Sequence, residues 1–222
     1  MLHWGKLLDM RAIIRPAEPE DAPRIAYIMY LAGRGHVERS VYDLLIPGAL
    51  GPTPERLSVI ERLLTTGAVS MYHHTHFTVA EVGGEVVSAI SCFPYEDGRV
   101  RHIRAAFREV GWSDGDMLAM VDRIEPFTEV EPRYPRDHWI LENAATYEGY
   151  RGRGLMRMLF EDAIEKGRAK GYTTMHLSCF MENPAVGLYE KLGFRVTKTS
   201  TGERFEEVFG CPGMHEMTLK LL

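Results

Sequence analysis

The sequence predicts a mixed α/β fold: a mostly antiparallel, twisted sheet flanked by helices, with a long insert between the third and fourth strands. Three observations carry this. After one short β-like run, the chain up to Leu64 repeats its apolar residues at helical spacing. Phe77–Val82 and Glu85–Phe93 read as two strands around the tight turn Gly83-Gly84. From His138 to Phe180 a strand, a helix and a strand follow in the order of a parallel crossover unit.

Taken in order, Ala12–Arg15 is the β-like run and Pro16–Pro23 a turn-rich acidic joint. Arg24–Ala32 carries Ile25, Ile28, Met29 and Ala32 on one helical face, with Gly33-Arg34-Gly35 as its stop. Helices near Arg39–Leu45 and Glu55–Leu64 flank the breakers of Pro47–Pro54, and Leu57, Ile60, Leu63 and Leu64 share a sheet-packing face. The insert runs from Pro94 to about Asp137. Within it, Ser113-Asp114-Gly115-Asp116 reads as a capping box ahead of a helix over Met117–Ile124. Pro126, Pro132 and Pro135 predict an extended, turning chain. So long a connection is expected to be functional or mobile. His138–Thr146 is a strand and Gly149–Gly154 a Gly/Arg turn. Leu155–Ala169 is a helix with Leu155, Met158, Leu159, Ala163 and Ile164 on one side and Gly171 past its end. Thr173–Phe180 is a strand, Pro184–Leu192 a short helix with proline in its first turn, and Phe194–Thr199 and Met214–Leu221 are strands.

Composition is 45% hydrophobic and 26% charged, ordinary for a soluble globular protein. No apolar run approaches the roughly 18–20 residues that span a bilayer, so no membrane partner is expected. Met1–Met10 is too short and interrupted for a signal peptide. The net charge of −5 argues against broad nucleic-acid binding and leaves room for a local basic phosphate site. Cys92, Cys179 and Cys211 are odd in number and form no CxxC pair, which predicts buried thiols and a reducing, cytoplasmic setting. His73-His74-x-His76 has no carboxylate at matching helical spacing and runs into a strand, so no metal is expected.

The Gly/Arg turn opens a helix. First-turn amides lack internal partners and sit at the positive end of the helix dipole, so glycines that let backbone approach a ligand make a phosphate cradle. Arg151-Gly152-Arg153-Gly154 supplies glycines and two guanidinium groups, with Arg157 a turn further. Tight strand–helix packing alone explains such glycines equally well. A nucleotide P-loop needs Gly-Lys-Ser/Thr, and a dinucleotide fingerprint an early βαβ position with a later acidic residue; neither fits.

About 30 residues on stands Asn183-Pro184-Ala185, then Leu188-Tyr189-Glu190-Lys191-Leu192-Gly193-Phe194. With the turn, this resembles the GNAT superfamily of N-acetyltransferases. The family's Gln/Arg-x-x-Gly-x-Gly/Ala motif corresponds to Arg151 through Met156, with Met156 in place of the usual Gly or Ala. The two motifs cover roughly Trp139 to Arg195, and the hairpin extends the match. The resemblance implies a single N-acetyltransferase domain over residues 12–222 behind an extension of residues 1–11, with the 94–137 insert over the acceptor cleft. It implies acetyl-CoA as cosubstrate, Ala144, Ala145 and Thr146 offering backbone groups to the pantetheine arm, and the amides of Arg151, Gly152, Arg153, Gly154, Leu155 and Met156 holding the pyrophosphate. Asn183 would bond the pantetheine arm, Tyr189 would protonate the leaving thiolate, and a backbone amide at the strand splay would polarise the thioester oxygen. Read without the resemblance, Tyr189 is an amphipathic core aromatic and Asn183 a helix cap.

The base is a choice among Glu142, Glu148, His138 and water, with Glu142 taken as the candidate because it shares strand parity with Ala144 and Thr146. Asp122, Glu125, Glu129, Glu131 and Asp137 against Arg123, Arg133 and Arg136 give the insert a mild acidic excess suited to a cationic amine or to solvent. The acceptor is expected to be a small-molecule amine or a peptide, and a homodimer is compatible with the sequence. A CoA-binding module without catalysis and a protein acetyltransferase are the rival readings.

Overall fold

The computed structural model describes residues 11–130 and 132–221. The elements run β1 (Ile13–Pro16), α1 (Ala22–Arg34), α2 (Val41–Leu45), α3 (Pro54–Leu64), β2 (Phe77–Val82), β3 (Glu85–Pro94), α4 (Val100–Glu109) and α5 (Asp114–Thr128). They continue with β4 (Trp139–Thr146), α6 (Leu155–Ala169), β5 (Thr174–Phe180), α7 (Val186–Lys191), β6 (Arg195–Thr201), α8 (Glu203–Phe209) and β7 (Gly213–Lys220). The readings on Met1–Met10 and Glu131 fall outside the described residues.

The helices begin where their caps dictate. Thr53 accepts from the Arg56 amide ahead of Pro54 in α3. Ser113 and Asp116 close the capping box of α5 reciprocally. Helix α5 then runs past its expected end and contains Pro126, which corrects the extended reading of that proline. Its last turn is held by tertiary packing: Phe127 packs at an angle against Phe205 and edge-on against Phe209 of α8, with ring centres 5.8 and 6.3 Å apart. Two helices escape the sequence reading, α4 and α8. Arg99 at its N-cap and Arg101, Arg104 and Arg108 within it mask the buried pair Ala106 and Phe107 of α4. Pro184 precedes α7 rather than entering it.

The seven strands form one sheet in the order β1-β2-β3-β4-β5-β7-β6. Every pair is antiparallel except β4 with β5, joined through α6. Core residues lie on both faces. One cluster packs Ile25, Met29, Ile60 and Leu64 of α1 and α3 against Val79 and Ala89; the other packs Leu155, Leu159, Phe160 and Ala163 of α6 against Val87, Ile90 and Leu141. Met158, expected on the buried side of α6, is 40% exposed, because Phe160 takes the inward position. A β-carbon on Gly167 would lie 2.8 Å from the Trp139 ring, so its absence sets how closely α6 approaches β4.

The feature that positions the site is a gap. The recorded β4–β5 pairs run from Trp139↔Met175 to Leu141↔Leu177, after which β4 follows β3 and β5 follows β7.

Candidate active site

A cleft of about 1470 Å³ opens where β4 and β5 part. It is lined by Glu142, Ala144, Ala145 and Thr146 of β4, Arg151 to Met156 at the start of α6, and Asn183 and Tyr189 around α7. All twelve sequence-predicted site residues therefore share one cavity. Glu148 and His138 are not among its lining residues.

Strand β4 carries a bulge. Asn143 has φ +52°, and the register with β3 steps from Ala89↔Ala145 to Ser91↔Glu142. The Asn143 side chain is fixed on both ends: its Nδ2 donates to Ser91 Oγ (3.2 Å) and its Oδ1 accepts from the Tyr42 hydroxyl (3.0 Å). The bulge breaks the parity expected to group Glu142 with Ala144. Leu141 and Ala144 both meet the cluster under α6, so Glu142, next along from Leu141, faces the other way.

Glu142 Oε1 accepts a hydrogen bond from the Tyr134 hydroxyl at 2.5 Å. Burial pushes its carboxyl up to about 7, against the opposing effect of hydrogen bonds from Tyr134 and Ser178. It is thus poised to exchange a proton near neutral pH. Tyr134 has no periodic signal in the sequence and was not foreseen; neither was Tyr42.

Tyr189 is buried on α7, with Phe160 and Phe194 rings at 5.4 and 6.3 Å. Burial raises its phenol well above the ordinary tyrosine value, with smaller contributions from Cys179 and Glu142, so it stays protonated at neutral pH. Asn183 Oδ1 accepts the Ala185 amide at 2.9 Å, an Asx turn ahead of α7, whose N-cap is Ala185, and the residue also lines the cleft.

At the Gly turn, Gly152 and Gly154 adopt φ +74° and +77°, with nothing within 4 Å of where a β-carbon would stand. Here glycine answers a backbone need and leaves the α6 N-terminus open. Arg151 Nε donates to Thr146 O (3.2 Å), and Arg153 donates to Gly149 O and lies over the Tyr150 ring. Met156 follows the first helical residue and packs against the apolar cluster under α6 as well as lining the cleft.

Residues of the β3–β4 connection form the opposite wall. The expected acidic excess does not face inward: Asp122, Glu125, Glu129 and Asp137 are absent from the lining, Glu125 pairs with Arg204, and Glu129 accepts from the Phe205 amide. For Asp122 and Glu125 the helical period of α5 sets this, because its apolar stripe takes the cleft-facing side. Among the described residues, no group of three or more His, Cys, Asp or Glu side chains could hold a metal ion, and no helix is long and apolar enough to cross a membrane.

Comparison with known proteins gives a consistent picture. Residues 40–194 match the model of the acetyltransferase (GNAT) family. The chain is similar to an N-acetyltransferase structure from Staphylococcus aureus Mu50, with 22% identity, TM-score 0.68, and 93% of this chain and 100% of that one covered. It is similar at 20% identity and TM-score 0.54 to the Salmonella typhimurium protein yncA, solved with its cofactor acetyl-CoA, covering 96% of this chain and 95% of that one. An agmatine N-acetyltransferase structure aligns at 15% identity and TM-score 0.54, over 94% and 99% of the two chains. At these identities the likeness is one of fold. No curated protein matches the chain in sequence.

Proposed function

The chain belongs to the GNAT acetyltransferase family and is an acetyl-CoA-dependent acetyltransferase, and from that premise we propose that it transfers the acetyl group directly to a primary amine in the cleft between β4 and β5. The observation that carries this reading is that Glu142 and Tyr189, a proton acceptor poised near neutrality and a proton donor, line one cavity.

The cavity's own features fit acetyl-CoA. The open Gly152 and Gly154 turn suits a pyrophosphate, and β4 beyond Leu141 has its β5-side backbone groups free of a β5 ladder, which suits an extended amide chain. Acetyl-CoA supplies the activated acetyl thioester. Arg151 to Met156 would bind its phosphates, and Ala144 to Thr146 with Asn183 would align the pantetheine arm. Glu142 accepts the amine proton at Oε, directly or through water, with Tyr134 steadying the carboxylate. A backbone amide at the Asn143 bulge would donate to the carbonyl oxygen as charge develops there. Tyr189 Oη gives its proton to the departing sulfur.

Residues 12–222 read as one transferase domain preceded by the extension of residues 1–11. The buried free thiols Cys92, Cys179 and Cys211 support a cytoplasmic setting. The test is an acetyl-CoA thiol-release screen over small amines, polyamines, amino acids and peptide N-termini. Release with at least one amine is the expected result. Acetyl-CoA binding with no release across the whole panel would instead identify a CoA-binding module.

A further inference from the structure

The second wall of the cleft carries information about the acceptor that the transfer chemistry does not require. Helix α4 turns Ile103 and Phe107 toward it, and α5 turns Met117, Met120, Val121 and Ile124, spaced i, i+3, i+4, i+7. Phe107 and Met117 anchor this apolar face in the core, with Ile103 and Met120 packed beside them, while its outer residues are left facing the cavity. Val100 and Val121 at the cleft are 67% and 53% exposed, among the most exposed large apolar residues described. Leaving such surface facing a cavity forfeits burial unless something apolar fills it.

Charge points the same way. Apart from Arg151 and Arg153 of the Gly turn and Arg157 in the first turn of α6, the charged side chains lining the cleft are Arg34, Arg104, Glu38 and Glu142, with no anionic excess. A polycation would find the Arg34 and Arg104 guanidinium groups in its path, and the buried Nε of Arg34 has no hydrogen-bond partner. The volume of about 1470 Å³ exceeds the roughly 300–1000 Å³ of a single small-molecule pocket, so a second molecule has room beside the cosubstrate.

We propose that the acceptor is a small amine carrying a single amino group on an aromatic or alkyl body, seated on the α4–α5 wall with its nitrogen toward Glu142. This deepens the transfer reading above and rests on it. Methionine is well suited to such a wall, because its flexible thioether adapts to alkyl chains and aromatic edges alike.

The experiment uses the full chain and two readouts. Thiol release is measured with propylamine to hexylamine, phenethylamine and spermidine, and the same amines are titrated calorimetrically into the protein with CoA bound. The proposal expects kcat/KM and affinity to rise about threefold to fourfold per methylene, phenethylamine to rank with the longer alkylamines, and spermidine to fall below them. In Met120→Glu, at a partly buried position, and Val121→Asp, at an exposed one, the chain-length dependence flattens and hexylamine loses about tenfold in kcat/KM, and Val121→Asp keeps a melting temperature near the parent's. A flat alkyl series in both readouts, or spermidine outranking hexylamine, overturns the acceptor class. Amine binding with the expected slope but no thiol release upholds the apolar seat and sinks the transfer reading instead.

Discussion

In the proposed mechanism Glu142 and Tyr189 carry the proton traffic, and burial raises the proton affinity of both. Tyr189→Phe removes only a hydroxyl from a packed aromatic cluster, so the fold and acetyl-CoA affinity should persist while turnover falls about 100-fold. Rapid-equilibrium binding beside steady-state kinetics checks both halves. For Glu142, a carboxyl raised to about 7 predicts that kcat/KM climbs with pH through neutrality and then levels, and that Glu142→Gln loses this limb. The same shift has a stability sign. Between the ordinary carboxyl value and about 7 the folded state holds a proton that the unfolded chain has released, so stability falls as pH rises through that window. Glu142→Gln should therefore be more stable than the parent at pH 8, by about 1–3 kcal/mol, and indistinguishable near pH 4. Denaturant titrations at the two pH values read this directly. A residue's place at the cleft was legible where residue type and spacing coincide, as at Asn183 and Tyr189. It was illegible for Tyr134 and Tyr42, which reach the site from aperiodic or short segments through contacts 8 and 101 residues away in sequence.

At the scale of elements, two local backbone irregularities make the site: the bulge at Asn143 and the turn before α6. Gly154 caps α6 in the left-handed region with open space around it, so Gly154→Ala carries a backbone penalty of about 1–2 kcal/mol and no steric clash. Its expected result is a weaker acetyl-CoA affinity with an unchanged acceptor KM, measured by calorimetry and kinetics. An unchanged affinity would show that the turn does not serve the cosubstrate. Most strands and helices could be read from period and turn chemistry, and the hairpin and α6 were placed to the residue or within one. The bulge could not. Nothing in Glu142-Asn143-Ala144 marks a slip of phase, so extrapolating alternation along β4 put Glu142 on the wrong face relative to Ala144.

Across the whole molecule, the cleft depends on a polar knot behind it. Arg56 of α3 is fully buried; it pairs with Asp43 at 2.9 Å and donates to the carbonyls of Tyr42, Ile46, Ala49 and Gly51. Asp43 in turn accepts from the Tyr30 hydroxyl and the Ser40 and Gly51 amides. The knot fixes α2, whose Tyr42 holds the Asn143 bulge. Arg56→Leu leaves Asp43 buried without its cation and should cost about 3–5 kcal/mol in denaturant unfolding, with part recovered in the double variant Arg56→Leu/Asp43→Leu. The general architecture follows from the order of elements, since a central crossover flanked by hairpins admits few sheets. The wall formed by α4 and α5 does not follow, because which face of a helix looks inward is decided by tertiary packing. The claim on which the rest stands is that this cleft moves an acetyl group to an amine with Tyr189 as the acid. The most direct measurement is single-turnover release of the CoA thiol by the parent and by Tyr189→Phe, both saturated with acetyl-CoA, with the best amine of the screen. The account predicts release by the parent, a rate about 100-fold lower in the variant and equal acetyl-CoA dissociation constants. Equal rates in the two proteins would contradict it.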